Sequence, residues 1–550
     1  MDVSVDKILV KRIDASVLTL VVALLLTGAA NGTFWMTFAQ AAGGLSPANL
    51  PLLAGAFLMI VLFFNACLTL ASFRPLAKPV LIVLVLGASM ASYFIATYGI
   101  VIDKAMIQNV FETDTREAAE LLDWRLLARV GLLGVVPSLW IARAEIRYPD
   151  GWPGLARRAG IAGGSILAAV LLLALFFKSL APALHEHREL RFLLTPTNFV
   201  QAVHGYLRAS WDRNVPLAPL GRDAARGAAW AGQGRKTLTV IVVGETARAA
   251  SFSLNGYARA TNPQLARQHG LINFSQVSSC GTATAVSVPC IFSPLARSDF
   301  SNAAAAHQEG LLDVLGHAGL DVVWRDNNSG CKGVCERVRY QDVSAPTPEA
   351  LHCAGDECYD ERLLDGLPEL VRNSGKDLVL VLHQKGSHGP AYAQRYPAGF
   401  GRFGPVCTTN QFELCTQASI QAAYDNTILY TDYFLSKTID LLRQIGARDG
   451  VDTAMLYVSD HGESLGENNV YLHGAPYMFA PPEQTRVPMM LWLSEGFSAR
   501  FHIDATCLSA RRNQALSHDN IFHSVLGMLD IVTAVRNPRL DLFHACIKGA

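Results

Sequence analysis

Several residues at the ends of apolar runs are of types that bind divalent metals. They are Glu245 in "TLTVIVVGE", His388 in "KGSHGP", Asp460 and His461 in "TAMLYVSDHGE", and His473 in "YLHGAP". Carboxylate oxygens mixed with imidazole nitrogens favour zinc, and manganese is the alternative the same donors allow. Singly, each has an ordinary explanation: Glu245 as a helix cap, His383 or His388 as a loop histidine. Asp460 beside His461 and before Gly462, at the end of an apolar run, is the more specific signal. Such a metal needs a group to activate. The stretch "SSCGTATAVSVPC" at 278–290 offers hydroxyls on Ser278, Ser279, Thr282, Thr284 and Ser287 between two cysteines. An aliphatic hydroxyl is a weak nucleophile near neutral pH, and coordination to zinc favours its deprotonated form, as it does for water. Spacing alone does not choose among the five.

These residues need a scaffold that gathers distant positions. The short β-rich runs at 237–245, 320–326, 377–384 and 453–463 each end in polar residues, and 418–446 has the pattern of a long amphipathic helix. Strands buried on both faces and separated by helices imply an α/β sandwich with a largely parallel sheet. In such folds the ligand lies beyond the carboxyl ends of the strands. The polar strand ends are therefore where a site is expected.

The first third of the chain is different. Mean hydropathy over the 550 residues is +0.24, with the apolar residues concentrated at this end. From Ala15 to Phe73 there is no Asp, Glu, Lys or Arg, and "GGLSPANLP" at 43–51 divides this run into two spans of bilayer length. Further spans are expected at Pro79–Ile102, around Val130–Ala142 (with Pro137 inside, and Arg125 and Arg129 at its start), and at Ala159–Phe177. A cleaved signal peptide does not fit the first span, which is too long and is followed at once by another. Lys7, Lys11 and Arg12, then Arg74 and Lys78, then Arg143, Arg147, Arg157 and Arg158 mark alternate loops as cytoplasmic. Five spans place everything after about Lys178 outside the cytoplasm. The expected division is a five-span membrane domain at 1–180, an interfacial helix and linker at 181–235, and a catalytic domain at 236–550. Formal net charge is zero with no basic run, which gives no support to a nucleic-acid partner.

Cysteine usage agrees. Ten of eleven cysteines lie beyond residue 279, and eight fall into close pairs: 280 with 290, 331 with 335, 353 with 358, 407 with 415. Cys507 and Cys546 are what remains. This suits an oxidising compartment such as the periplasm, and the CxxC knuckles of a zinc ribbon are absent.

Together "VVGETARAASFSLNGY", "SCGTATAVSVPCIFS", "DNNSGCKGVCERV", "GSHGP", "SDHGESLGE" and "LSHDNIFHSVLGMLD" resemble the lipid A phosphoethanolamine transferases, the family that includes the transferable colistin-resistance enzymes. The resemblance runs over nearly the whole chain. It implies an alkaline phosphatase/sulfatase-type catalytic domain in the periplasm, anchored in the bacterial inner membrane as a multi-pass protein. It implies Thr284 as nucleophile, with Glu245, Asp460, His461 and Thr284 itself as zinc ligands. It places His388 and His473 near the donor phosphate or a second metal, and Lys332 and Ser329 at the substrate. Asn109, Thr113 and Glu117, spaced i, i+4, i+8, match donor-binding residues of the family. The implied donor is phosphatidylethanolamine and the implied acceptor lipid A. Alternatives are a same-fold transferase using a core sugar or another phospholipid head group, and an inactive lipid-binding sensor, which an intact ligand set argues against. A sulfatase is disfavoured because no C-x-P-x-R occurs.

Overall fold

The apolar runs after residue 236 form the centre of one eight-stranded sheet. The computed structural model describes residues 12–112, 119–187, 190–211, 216–232, 234–346, 352–354 and 357–548. It divides into two compact units, one of residues 1–107 and 122–205, the other of 108–121 and 206–550.

In the second unit we number the sheet strands after a short pair in the first unit, β1 (Ile13–Asp14) and β2 (Ile146–Arg147). They are β3 (Thr237–Gly244), β4 (Ile272–Ser278), β5 (Asp321–Asp326), β6 (Arg339–Asp342), β7 (Leu378–His383), β8 (Asp452–Ser459), β9 (Arg486–Leu493) and β10 (Leu516–Ser517). Their order is β10-β4-β9-β8-β3-β7-β5-β6. Every pair is parallel except β8 with β9 and β9 with β4. β3, β7 and β8 are buried along their whole length, which is why they read as uninterrupted apolar runs. β3 and β8 run in register, with Ser459 opposite Gly244, so both release their next residue at the same edge.

The expected helix at 418–446 is present as Gln417–Asp449, capped by the Thr416 side chain and ended by Gly450 at φ 65°. It is buried on more sides than an amphipathic surface helix, and its polar residues anchor the chain that follows β3. Tyr424 accepts from Arg248 N and donates to Thr246 O at 2.7 Å, and Asp432 accepts from the backbone N–H groups of Gln264 and Leu265. Five disulfides form: Cys280–Cys290, Cys331–Cys335, Cys353–Cys358, Cys407–Cys415 and Cys507–Cys546.

The first unit is helical: α1 (Ala15–Gly28), α2 (Gly32–Ala41), α3 (Leu50–Ala71), α4 (Ala77–Tyr98), then α5 (Lys104–Glu112), α6 (Trp124–Arg143) and α7 (Gly151–Glu186). Helix α5 continues into the second unit. The helices α3, α4, α6 and α7 are long and apolar enough to cross a membrane; α1 and α2 make a fifth crossing only as a pair bent by 62°. The sequence led to five unbroken spans, and the first is broken. The break falls at Asn31, whose amide donates to Leu26 O and Thr195 O and accepts from Thr195 N, satisfying backbone groups that the bend frees. Pro137 in α6 follows a π-helical turn at Gly131–Val135, a local adjustment of the backbone bonds just before a residue with no N–H to donate.

Between these helices a buried polar cluster replaces apolar contact. Thr19 of α1 donates to Asn65 of α3 at 3.0 Å, Thr19 and Thr69 hydroxyls meet at 3.2 Å, and Asn65 donates to Ser165 of α7. Lipid-embedded helices gain little from apolar burial against one another, so such bonds help specify packing. Asn65→Ala is expected to destabilise the solubilised protein by about 1 kcal/mol, seen as a lowered thermal midpoint. No change would mean that apolar packing alone holds α1, α3 and α7.

Candidate active site

Glu245 leaves β3 and Asp460 leaves β8 side by side, tied by a bond from Asp460 N to Gly244 O at 3.0 Å. The turn is crowded: a Cβ on Gly462 would lie 2.0 Å from Glu483 O, and one on Gly386, at φ 56°, 2.5 Å from Glu245 O. Only glycine fits either place. His461 bonds through Nδ1 to Gly462 O at 2.9 Å, which fixes that nitrogen as the donor and leaves the Nε2 lone pair for another partner.

The helix α8 (Thr284–Ile291) begins at the opening stretch of hydroxyls, and here the fold chooses among them. Ser279 donates to Gly281 O, Thr282 to Ala475 O, and Ser287 accepts from Gly281 N, so three hydroxyls hold the loop. Ser278 is the last residue of β4. Thr284 Oγ1 instead lies 3.1 and 3.2 Å from the Glu245 carboxylate oxygens and 3.3 Å from His461 Nε2. His461 Nε2 is also 3.3 Å from both Glu245 Oε1 and Asp460 Oδ2.

These spacings are a test of metal fit. Four donors about 2.0 Å from one tetrahedral centre stand about 3.3 Å apart. The donor atoms of Glu245, Asp460 and His461 lie within 4.8 Å of one another, all buried. Asp460 Oδ1 accepts from Thr246 N and His461 N, while Oδ2 is buried with no hydrogen-bond partner. An orphaned carboxylate oxygen in this position suits a cation. The residues fit a divalent metal. The electrostatics agree: burial and the charge of Glu245 push Asp460 up to about 6. Burial disfavours a proton on His461, yet the Asp460 and Glu245 carboxylates outweigh it and hold the imidazole at about 9. The shared cause is a pair of enclosed negative charges, which a divalent cation offsets more fully than one imidazolium.

Around this cluster stand the other expected residues. The His473 ring is 4.4 Å from that of His461 and 5.2 Å from that of His388. His473 Nδ1 bonds to Glu463 Oε2 at 2.8 Å, leaving Nε2 as its second nitrogen, and Tyr392 donates to the other oxygen of Glu463. Burial, opposed by Glu245 and aided by the charges of His473, Arg395 and Lys385, keeps His388 neutral, well below the usual histidine range. Lys332, at φ 52°, bonds to Ser329 O and Oγ. Ser329 follows Asn328, whose amide donates to Glu245 Oε2 at 2.6 Å, and this brings the "NNSGCK" turn to the site. Asn109 lies in α5, while Thr113 and Glu117 lie outside the described residues.

Residues 237–531 match the sulfatase family, and residues 60–211 match the phosphoethanolamine transferases EptA/EptB. The chain is 42% identical over 490 residues to phosphoethanolamine transferase EptA of Escherichia coli K12, covering 88% of each. The chain belongs to the phosphoethanolamine transferases. This transferase is also 39% identical over 540 residues to phosphatidylethanolamine transferase Mcr-1 of Escherichia coli, covering 95% of this chain and 96% of the relative. Its structure aligns with the integral membrane lipooligosaccharide phosphoethanolamine transferase A of Neisseria meningitidis at a TM-score of 0.93 and 34% identity, over 98% of this chain and 100% of that one.

Three residues packed around this cluster escaped the sequence reading. Asn328 and Glu463 each had the strand-end signal, being two residues past Asp326 and His461, but no metal-ligand role drew attention to them. His518 had no such signal. It is fully buried before the helix α9 (Asp519–Met528), accepts from Cys280 N at Nδ1, and meets Ser459 O at Nε2, both at 3.0 Å. One neutral imidazole thus ties the Thr284 loop to the strand that delivers Asp460. Burial, against the bond to Ser459 O and with the charge of His461, pulls His518 down to about 3. Between that value and about 6.5 the unfolded chain binds a proton that the folded chain does not. The contribution of His518 to stability is therefore complete above about 6.5 and is lost as pH falls below it. The stability gap between the wild-type enzyme and His518→Asn is expected to shrink by about 2 kcal/mol from pH 7 to pH 5. Denaturant unfolding at both pH values checks this; a constant gap would show that His518 titrates freely in the folded chain.

Proposed function

We propose that this enzyme transfers phosphoethanolamine from phosphatidylethanolamine to a phosphate of lipid A, with Thr284 as the covalent nucleophile. The observation that carries the reading is the Thr284 hydroxyl 3.1–3.3 Å from Glu245 and His461, among donors spaced for a metal. Zinc held by Glu245, Asp460, His461 and Thr284 would favour the alkoxide form of Thr284 and offset charge on the phosphoryl oxygens. In the first half-reaction, Thr284 Oγ1 bonds to the donor phosphorus as its bond to the glycerol oxygen breaks. The Thr284 proton is balanced by the one taken up by departing diacylglycerol, and His388 and His473 are the nearby groups suited to carry it. The modified threonine sits at the first position of α8, where the helix dipole favours negative charge. In the second, a lipid A phosphate oxygen attacks that phosphorus and the threonine hydroxyl is restored. Lys332 and Ser329 are assigned to the substrate. The added ethanolammonium lowers the negative charge of the outer surface and so weakens binding of cationic polymyxins such as colistin.

The segment 108–121 supports a donor site beside Thr284. Asn302 donates to both Gln108 Oε1 and Ala285 O, and Arg395, which donates to His388 O, grips Glu120. The segment is thus tied at one end next to Thr284 and at the other next to His388. In the sequence Asn109, Thr113 and Glu117 fall between Gln108 and Glu120, and we assign Glu117 as the carboxylate for the ethanolammonium. With the positive loops inside, the second unit faces the periplasm from the inner membrane.

Thr284→Ala is expected to cut diacylglycerol release from a fluorescent phosphatidylethanolamine by roughly three orders of magnitude or more, with fold and insertion intact. Thr282→Ala, which loses only the bond to Ala475 O, should be far milder. Normal turnover by the Thr284 variant would sink the assignment. Chelation should remove metal, measured by elemental analysis, together with formation of the phosphothreonine adduct, measured by mass spectrometry. An adduct formed at full rate by metal-free enzyme would make the metal merely structural. Glu117→Gln should raise KM for phosphatidylethanolamine while leaving metal content unchanged; unaltered donor kinetics would return Glu117 to a solvated surface role.

A further inference from the structure

A second site lies within the first unit, at the helix ends that carry its positive charge. A cavity of about 600 Å³ is lined by Arg12, Arg74, Lys78, Arg143 and Arg147, with Glu145 and Asp150 as the acidic members of its wall. The parallel pair β1–β2 closes one side, with Ile13 N bonded to Glu145 O at 3.0 Å. Arg12 is paired with Glu145 at 3.2 Å, and Lys78 bonds to the last-turn carbonyl of Ala142 at 2.7 Å. Among the described residues no carboxylate pairs with Arg74, Arg143 or Arg147. Tyr148, also in the wall, holds its ring against the Arg158 guanidinium and has a hydroxyl with no protein partner. The rule that positive loops stay inside accounts for the sign and number of these charges. It does not account for five cations from three separate chain segments converging on one cavity, three of them without a carboxylate partner among the described residues.

We propose that this cavity binds the phosphate of an anionic glycerophospholipid, such as phosphatidylglycerol, in the leaflet that these helix ends face. The ligand chemistry is a phosphodiester, matched by guanidinium forks. A lipid is the source because of where the cavity lies. Its residues come from the chain before α1, the turn from α3 into α4, and the end of α6 with the chain leading into α7, where the apolar helices end and head groups are expected. Exposed Phe73 and Leu76, 51% and 54% accessible, adjoin Arg74 in the sequence and supply apolar surface for acyl chains. Basic pockets between transmembrane helices at this depth are suited to anionic head groups. This site is separate from Thr284 and does not depend on the donor reading.

The test is native mass spectrometry of the full-length protein in detergent titrated with phosphatidylglycerol, phosphatidylcholine or inorganic phosphate. Wild-type protein is expected to retain phosphatidylglycerol in preference to phosphatidylcholine, and inorganic phosphate should not displace it. The triple variant Arg74→Ala/Arg143→Ala/Arg147→Ala should bind roughly ten- to hundred-fold more weakly. Because those charges also direct insertion, Arg74→Lys/Arg143→Lys/Arg147→Lys keeps the orientation and removes only the forks; it should lose several-fold in affinity. Equal retention of both lipids by wild-type protein, or unchanged retention by both variants, would overturn the proposal. Displacement by inorganic phosphate would overturn the lipid assignment in favour of a soluble anion.

Discussion

The parallel register of β3 and β8 sets what the rest of the second unit can do. With Ser459 opposite Gly244, both strands end at one edge, and Glu245 and Asp460 emerge as neighbours although 215 positions separate them in the chain. A slip of one residue would turn each side chain to the opposite face. The register is held by strands buried on both sides, where any slip would disturb the whole core. It brings two carboxylates and an imidazole together where water does not reach them. Such a group is costly to bury unless charge is offset, and this is why the site is better suited to a cation than to any purely structural role.

Thr284 is positioned by restraint rather than by packing. Ser279, Thr282 and Ser287 use their hydroxyls on loop backbone, the Cys280–Cys290 disulfide closes the stretch, and His518 fastens it to the Asp460 strand. Small side chains permit close approach of a phosphate, but they contribute little buried area, so the loop needs these local ties. The same division of labour appears at Glu245, where Thr246 and Asn328 take up carboxylate lone pairs and Tyr424 fixes the following backbone.

In the first unit the governing constraint is different, because lipid removes most of the advantage of apolar contact. Packing is specified by Thr19, Asn65 and Ser165 among the helices and by Asn31 at the bent pair. The charged residues at the helix ends line one solvent-open cavity. The proposed head-group site would use the same residues that set the orientation of the helices.

What was legible in the sequence was whatever repeats with a local period. Charge-free spans, buried strands ending in polar residues and the long helix at 417–449 could all be read, because burial on two faces or in lipid leaves a local pattern. Glu245, Asp460 and His461 stood out because their types are rare at the ends of apolar runs. The bend at Asn31 was hidden, since its cause is a bond to Thr195 far along the chain. Strands β4 and β9 were missed along with the short β6 and β10, β4 because its burial alternates and leaves no continuous apolar run, and β9 because Pro488 interrupts its apolar run, at the register shift between Val487 and Met489. Composition and spacing left five hydroxyls equivalent; the family resemblance singled out Thr284, and the fold gives the physical reason by spending three of the others on the loop. His518 was beyond any local reading, because its role consists of two hydrogen bonds to backbone 238 and 59 positions away. Residue type and periodicity are properties of a short window, whereas a hydrogen-bond partner is chosen by the register of strands that meet only in the folded chain.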